Sequence, residues 1–591
     1  MDQSPFCSVI GTNYVPTEEE CQMITEFLAA PEKQLIEMQA KISQQEAVPQ
    51  QLKEQYEDLQ GNIEAHRALV SIFRRLPDDI LREIFLLCLP LSRDPAMCAA
   101  EPPLLLTHVC GRWRQVACST PRLWTSLYIS DYLYEGQVQE SKLESRDEGI
   151  LQWIGRAGCM SLSLSFPTPQ VSSGPEERSW RNTDLRRLLC MLSPSFHRWR
   201  KANILLEGLD DELFDIVSLQ NKEGQKPFQS VEQLSIRVSL SNGTPVTMEE
   251  HIRKSSRLLS ELGLDSSKRL RRLGLYLDEG IPLHSESLQL SNIFPCGQLE
   301  VLDLQGDLLL DNGAGIPLNF LPSLLQACPQ LVVFRANVSR PSYAPFPPVS
   351  TSRIPLNRLK EMSLFFRQLI HVDTFGIIAR CDWPTLTSLY LRVLHSDYAD
   401  MPLLSACTDK FSTPLTSLRL SSFGIRTFAL IDLMFALPTL IQLHLDHPAL
   451  SDIYREQRFD CDDDEFKLNL YGGLFCNNFI AHLTPKPNGT PYALPQLRFL
   501  KWERNTGFSD KALAHLLQQR SSSVPMKQVH IYFGRAMQED ILPVCSNLVE
   551  AGLDLRLKYP PAFDTSREST YQNKDYVQPL EVDHYRTFGW D

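Results

Sequence analysis

Residues 415–420 read LTSLRL, and the same arrangement returns as LIQLHL at 440–445, LTSLYL at 386–391, LKEMSL at 359–364 and LEVLDL at 299–304. Each is an apolar residue, two others, an apolar residue, one other, and a third apolar residue. The last two apolar positions are two residues apart, so on an extended strand their side chains leave by the same face. Less regular copies begin at Cys159, Trp199, Val231, Leu270, Leu331, Leu497 and Met526. Starts from Leu270 to Leu440 are 29, 32, 28, 27, 29 and 25 residues apart. That leaves room in each period for a short strand and a helical return.

The returns carry helical spacing. Leu321, Leu324, Leu325 and Cys328 precede Pro329; Leu430, Leu433, Met434 and Leu437 precede Pro438; Leu404, Cys407 and Phe411 precede Pro414. A strand-plus-helix unit cannot bury its own apolar face, so the units must stack. Period and pattern resemble the leucine-rich repeat. The fold class expected is therefore α/β: N-terminal helices, a helical module, then an irregular leucine-rich-repeat solenoid of parallel strands. Irregularity is expected because the asparagine or cysteine of the repeat is replaced by Asp307, Arg367, Leu394, Phe423 or Pro448.

Residues flanking the inward leucines should point to a concave face. They include Asp303, Gln305, Ser363, Ser421, Asp446, Glu503 and His530. The candidates for holding a target protein are Phe365, Tyr390, Arg392, Arg419, His444, Lys501 and Tyr532, aromatic and charged types common at interfaces. An ordinary solvated sheet face is the alternative.

Upstream, residues 32–75 are rich in helix formers. Leu52, Tyr56, Leu59, Ile63, Val70 and Phe73 alternate four and three apart, with His66 in the one gap, and Leu35, Met38 and Ile42 continue the pattern before Pro49. A break is expected at 47–50. The stripe predicts either a coiled-coil-like dimerising helix or a helix packed on its own chain.

Residues 76–89 read LPDDILREIFLLCL. Pro77 suits a first helical turn, and Asp78 and Asp79 complement the helix dipole. Ile80, Leu81, Ile84, Phe85, Cys88 and Leu89 form an apolar stripe. Residues 103–129 read PLLLTHVCGRWRQVACSTPRLWTSLYI; Leu106, Val109, Cys110, Trp113, Val116 and Ala117 share one helical face. So small a unit carries more large apolar residues than it can hide, a surplus that ends against a partner or a neighbouring domain.

Leu76-Pro77, Ile80-Leu81, Ile84-Phe85, Val109-Cys110, Trp113 and Leu123-Trp124, in that order, resemble the F-box family. With IEAHRALVSIFRRLP leading in at 63–77, the segment looks like the F-box proteins abundant in mushroom-forming fungi. The link from Pro90 to Pro103, with Arg93, Asp94 and Glu101, is longer than the family's usual connection. The resemblance implies docking of the Skp-type adaptor of a cullin–RING ubiquitin ligase. Leu76, Pro77, Ile80, Leu81, Ile84 and Phe85 would supply much of the contact, helped by Val109, Cys110 and Trp113. The chain would then be a substrate-recognition subunit, gripping a target with its repeats. The alternative is a non-catalytic scaffold in which the F-box-like segment only caps the repeats.

The chain's 591 residues exceed one ordinary core, and 43% are hydrophobic. A formal net charge of -13 argues against nucleic acid as a partner. No secretory signal and no apolar run of membrane-spanning length is found. Fifteen cysteines without a CxxC fit reduced, mostly buried thiols and a cytoplasmic or nuclear setting. No phosphate loop, nucleophile elbow or zinc-helix motif occurs, so no enzyme activity, cofactor or metal is expected. The acidic run Asp460 to Glu465 lacks calcium-loop spacing. The divisions expected are a tail at 1–31, coiled-coil-like helices at 32–75, the F-box-like domain at 76–129, repeats at 130–560 and a tail at 561–591. Residues 168–182 and 340–355 read as loops.

Overall fold

The computed structural model describes residues 5–44, 50–129, 140–166, 175–207, 228–239, 267–277, 295–305, 315–339, 353–369, 381–396, 415–422, 427–446, 477–486, 490–503 and 508–559. Residues 7, 11, 13 and 534 are excepted, and a few isolated positions between 254 and 264 are added. The Leu404–Phe411 helix, the acidic run and the tail after 560 lie outside the described residues. The chain divides into two units, Met1–Pro167 and Thr168–Val582. It is a mixed α/β protein with N-terminal helices and a long parallel sheet.

The first unit opens with α1 (Glu18–Gln44) and α2 (Gln50–Val70). The 1–31 stretch is thus no tail: helix begins at Glu18. The reason is a capping box. Thr17 Oγ1 accepts from the Glu20 N–H at 3.3 Å, and Glu20 Oε2 accepts from the Thr17 N–H at 2.7 Å. These bonds hold the Glu20 carboxyl below the usual carboxylate range. Ile24 and Leu28 of α1 bury against Ile63 and Leu69 of α2, with Phe6 closing the cluster. Leu59 and Val70 of the stripe pack against this cluster, whereas Phe73 is exposed. His66 is buried too, its Nδ1 2.7 Å from the Asn62 carbonyl.

Then follow α3 (Asp78–Leu87), α4 (Leu104–Val109), α5 (Gly111–Cys118), the strand β1 (Ser126–Tyr128), α6 (Glu140–Arg156) and β2 (Leu162–Ser165), parallel to β1. Trp124 Nε1 donates to the Ala117 carbonyl at 2.8 Å, and its ring meets Trp153 edge-on at 4.8 Å. The long link is tied down. Arg93 pairs with Glu101, Glu101 accepts from the Ala96 N–H at 2.9 Å, and the Pro95 carbonyl accepts from the Tyr128 N–H at 2.8 Å.

The second unit contributes β3 (Trp199–Glu207), β4 (Gln233–Ser239), β5 (Arg272–Leu277), β6 (Val301–Gln305), β7 (Val333–Ser339) and β8 (Glu361–Leu369). It continues with β9 (Ser388–Ser396), β10 (Ser417–Ser422), β11 (Gln442–Asp446), β12 (Phe499–Glu503), β13 (Gln528–Tyr532) and β14 (Asp554–Lys558). Each pairs in parallel with the next, in sequence order. The triplet fixes the register. Leu273, Leu302, Phe334, Met362, Leu389, Leu418, Leu443, Leu500 and Val529 lie in one row. Leu275, Leu304, Ala336, Leu364, Leu391, Leu420, Leu445, Trp502 and Ile531 form the second, and all of these are buried. A one-residue slip would turn both rows outward, so burial holds the register. A carbonyl ladder reinforces it: Glu232, Arg271, Glu300, Val332, Lys360, Thr387, Thr416, Ile441 and Arg498 each accept two N–H groups from the next strand.

Helices α7 (Pro175–Leu192), α8 (Leu321–Ala327), α9 (Thr427–Phe435), α10 (Asn477–Leu483) and α11 (Asp510–Ser521) return between strands. α8 and α9 fall where the spacing predicts. Helix α7 shows that 175–182 is not loop; Pro175 stands at its first position, where no intrahelical N–H is lost. Before β9, in contrast, the described return is extended: Cys381–Asp382 pairs with Ile354–Pro355, and Pro384 biases Trp383 away from helix. The copy at Cys159 keeps only its second and third positions, Leu162 and Leu164; Cys159 is exposed. None of the described cysteines is in a disulfide, yet Cys88, Cys98 and Cys190 are exposed too, so thiols are less buried than expected. The strand β14 escapes the pattern because Gly552, at φ 102°, takes its first apolar position.

Candidate functional site

Two surfaces carry the candidate residues, one in each unit. In the first unit, helix α3 splits its stripe. Leu81 and Phe85 are fully buried, whereas Ile80 is 45% exposed and Cys88 is exposed; Leu87, off the stripe, is 81% exposed. Leu81 and Phe85 therefore cannot offer themselves to a partner; they seal the small core, Phe85 meeting the Trp113 ring at 4.9 Å. Leu76, Ile84, Cys110 and Trp113 are half-buried, and Pro77 and Val109 are exposed. Leu91 and Leu105 add to the exposed apolar side chains of this segment. Sequence reading missed Arg112, which holds the Leu76-Pro77 turn to α5. Its Nη2 lies 2.7 Å from Asp78 Oδ1 and also donates to the Leu76 carbonyl, while Nη1 donates to that of Arg74.

In the second unit the residues between the inward rows form a polar face. A groove of about 350 Å³ runs across it, lined among others by Glu361, Tyr390, Arg419, His444 and Lys501. The register brings Tyr390, Arg419, His444, Lys501 and His530 into one row, and Phe365, Arg392, Ser421, Asp446, Glu503 and Tyr532 into the next. Four of the seven sequence candidates thus line the groove; Phe365, Arg392 and Tyr532 sit one row beside them. Phe365 packs edge-on against Tyr390 at 5.0 Å, and the Arg419 guanidinium lies 4.4 Å above the Tyr390 ring.

Charges pair across the rows. Arg335 Nη2 is 2.8 Å from Glu361, Lys501 Nζ 2.6 Å from Glu503, Arg419 Nη2 3.4 Å from Asp446 and His530 Nε2 2.8 Å from Asp554. Such half-exposed pairs contribute little stability, roughly 0–1 kcal/mol each, but they fix where the charges stand. Burial lowers the proton affinity of His444, and Arg419 and Lys501 lower it further, against the pull of Glu503. Burial works to raise the Glu503 carboxyl, but His444 and Lys501 outweigh it and hold it below the usual range.

Asp303, Ser363 and Ser421 lie on this polar face, Ser363 lining the groove. All three are buried. Asp303 accepts from the Tyr276 hydroxyl at 3.0 Å and lies 3.7 Å from Arg335. Arg335 and Glu361 are polar-face residues that sequence reading passed over. Arg335 occupies the flanking position of an irregular copy, Leu331-x-x-Phe334-x-Ala336, where it could have been found.

Fold and surfaces define a mixed α/β protein that joins an incompletely covered helical segment to a parallel sheet with a groove on its polar face. No family model matches the chain, and no curated protein is significantly similar to it. Among the described residues no helix is long and apolar enough to cross a membrane.

Proposed function

We propose that the chain is the substrate-recognition subunit of an SCF-type cullin–RING ubiquitin ligase. The segment 76–129 is an F-box that docks a Skp-type adaptor, and the parallel sheet is an irregular leucine-rich-repeat solenoid whose polar face takes the target. The observation that carries this reading is the exposure of Ile80, Leu87, Leu91, Leu105 and Val109 beside a core already closed by Leu81, Phe85 and Trp124. Apolar area left in water is the driving force for covering it, about 25 cal/mol per Å². The role is non-catalytic: holding a target near the transfer machinery raises its effective concentration there.

The test is capture of the purified full chain by a recombinant Skp-type adaptor. Ile80→Asp plus Val109→Asp is the variant of choice, since both residues are exposed and Leu81 is structural. Wild type should be captured, and the variant should lose at least about tenfold in affinity with an unchanged unfolding temperature. A wild-type chain that the adaptor does not capture overturns the reading and leaves a scaffold protein.

A further inference from the structure

We propose that His444, Asp446 and Glu503 form a binding site for a divalent transition cation of the zinc class on the polar face of the sheet. His444 and Asp446 are two residues apart on β11 and share a face. Glu503 stands opposite Asp446 on β12. One ring nitrogen and one oxygen from each carboxylate lie within 4.8 Å of one another. Tetrahedral zinc, with donors at about 2.0–2.2 Å, sets donors about 3.5 Å apart, so carboxylate rotations of about 1 Å close the site.

Two buried polar atoms point to a cation as the ligand. His444 Nε2 has no hydrogen-bond partner; Glu503 Oε2 lies 3.7 Å away, beyond hydrogen-bond reach. Ser421 is 1% exposed, its Oγ has no partner, and it faces Asp446 across β10 and β11. The ring nitrogen and the two carboxylates surround one point, an arrangement that a cation between the three donors satisfies. One imidazole with two carboxylates suits zinc and its first-row neighbours.

The site has internal competitors. Lys501 Nζ holds Glu503 at 2.6 Å, and Arg419 Nη2 stands 3.4 Å from Asp446. A metal must displace them, which gives the proposal a sign: removing Lys501 should tighten metal binding, whereas removing a ligand should weaken it. The experiment is calorimetric titration of the chelator-stripped full chain with zinc chloride, with circular dichroism to confirm folding. His444→Ala should weaken one equivalent of zinc by at least about tenfold, and Lys501→Ala should strengthen it by about tenfold. Asp446→Asn replaces His444→Ala if that variant misfolds. Loss in the ligand variant together with gain in Lys501→Ala supports the site. Any other pattern in folded protein, including no zinc binding at all, overturns it. The outcome is independent of adaptor capture.

Discussion

The helical segment 76–129 and the parallel sheet treat their apolar residues differently. In the sheet, every triplet from Trp199 to Met526 is buried at all three positions. In the helices, members of one stripe go opposite ways: Leu81 and Phe85 are sealed, while Ile80 and Cys88 are exposed. A strand finds the same two inward positions on both neighbours, so its apolar residues are satisfied by repetition. Short helices of six to ten residues have no such neighbour on each side. The sheet has thus used the apolar side chains of its triplets on itself. The helices keep some to offer.

The sharpest way to break this contrast is to remove a large side chain from the sheet. Trp502 is buried against Phe479 at 5.0 Å and Phe508 at 5.3 Å. Trp502→Ala should cost about 3–5 kcal/mol in urea unfolding. A loss below about 1 kcal/mol would mean that the rows are not a packed core.

A smaller effect separates the polar face's buried acid from its open ones. Burial raises the Asp303 carboxyl to about 6, with Arg335 and Tyr276 opposing. With an unfolded value near about 3.9, the group's favourable contribution is full below that pH and is lost as pH rises through about 6, roughly 2–3 kcal/mol in all. Wild-type stability relative to Asp303→Asn should therefore fall by that amount between pH 4 and 7. A flat difference would show Asp303 ionised throughout, held by Arg335.

The smallest effect belongs to the helices. Leu87→Ser should change stability by no more than about 0.5 kcal/mol, since Leu87 is 81% exposed. A loss above about 1 kcal/mol would mean that this chain already covers the residue.

Periodicity made the sheet readable. The triplets located the strands, and the flanking positions placed Tyr390, Arg419, His444 and Lys501 in one groove. What failed was local. The Thr17-x-x-Glu20 box was present in the sequence and marked the helix start that the 1–31 reading passed over. Alternation gave the face of Asp303, Ser363 and Ser421 but not their burial on it.

The sequence by itself determined the repeating strand, its inward rows and hence the parallel register, because a period of two and the need for burial leave one solution. Only the tertiary structure decided which residues of one helical stripe stay in water, and where buried polar groups find partners. Arg520 shows why. It is fully buried, and its guanidinium donates to the carbonyls of Leu483, Ala493, Leu494 and Leu497, fastening a turn in which Leu494 adopts φ 52°. Four acceptors brought to one point from 23 to 37 residues away are a product of folding in space, and no spacing along the chain announces them.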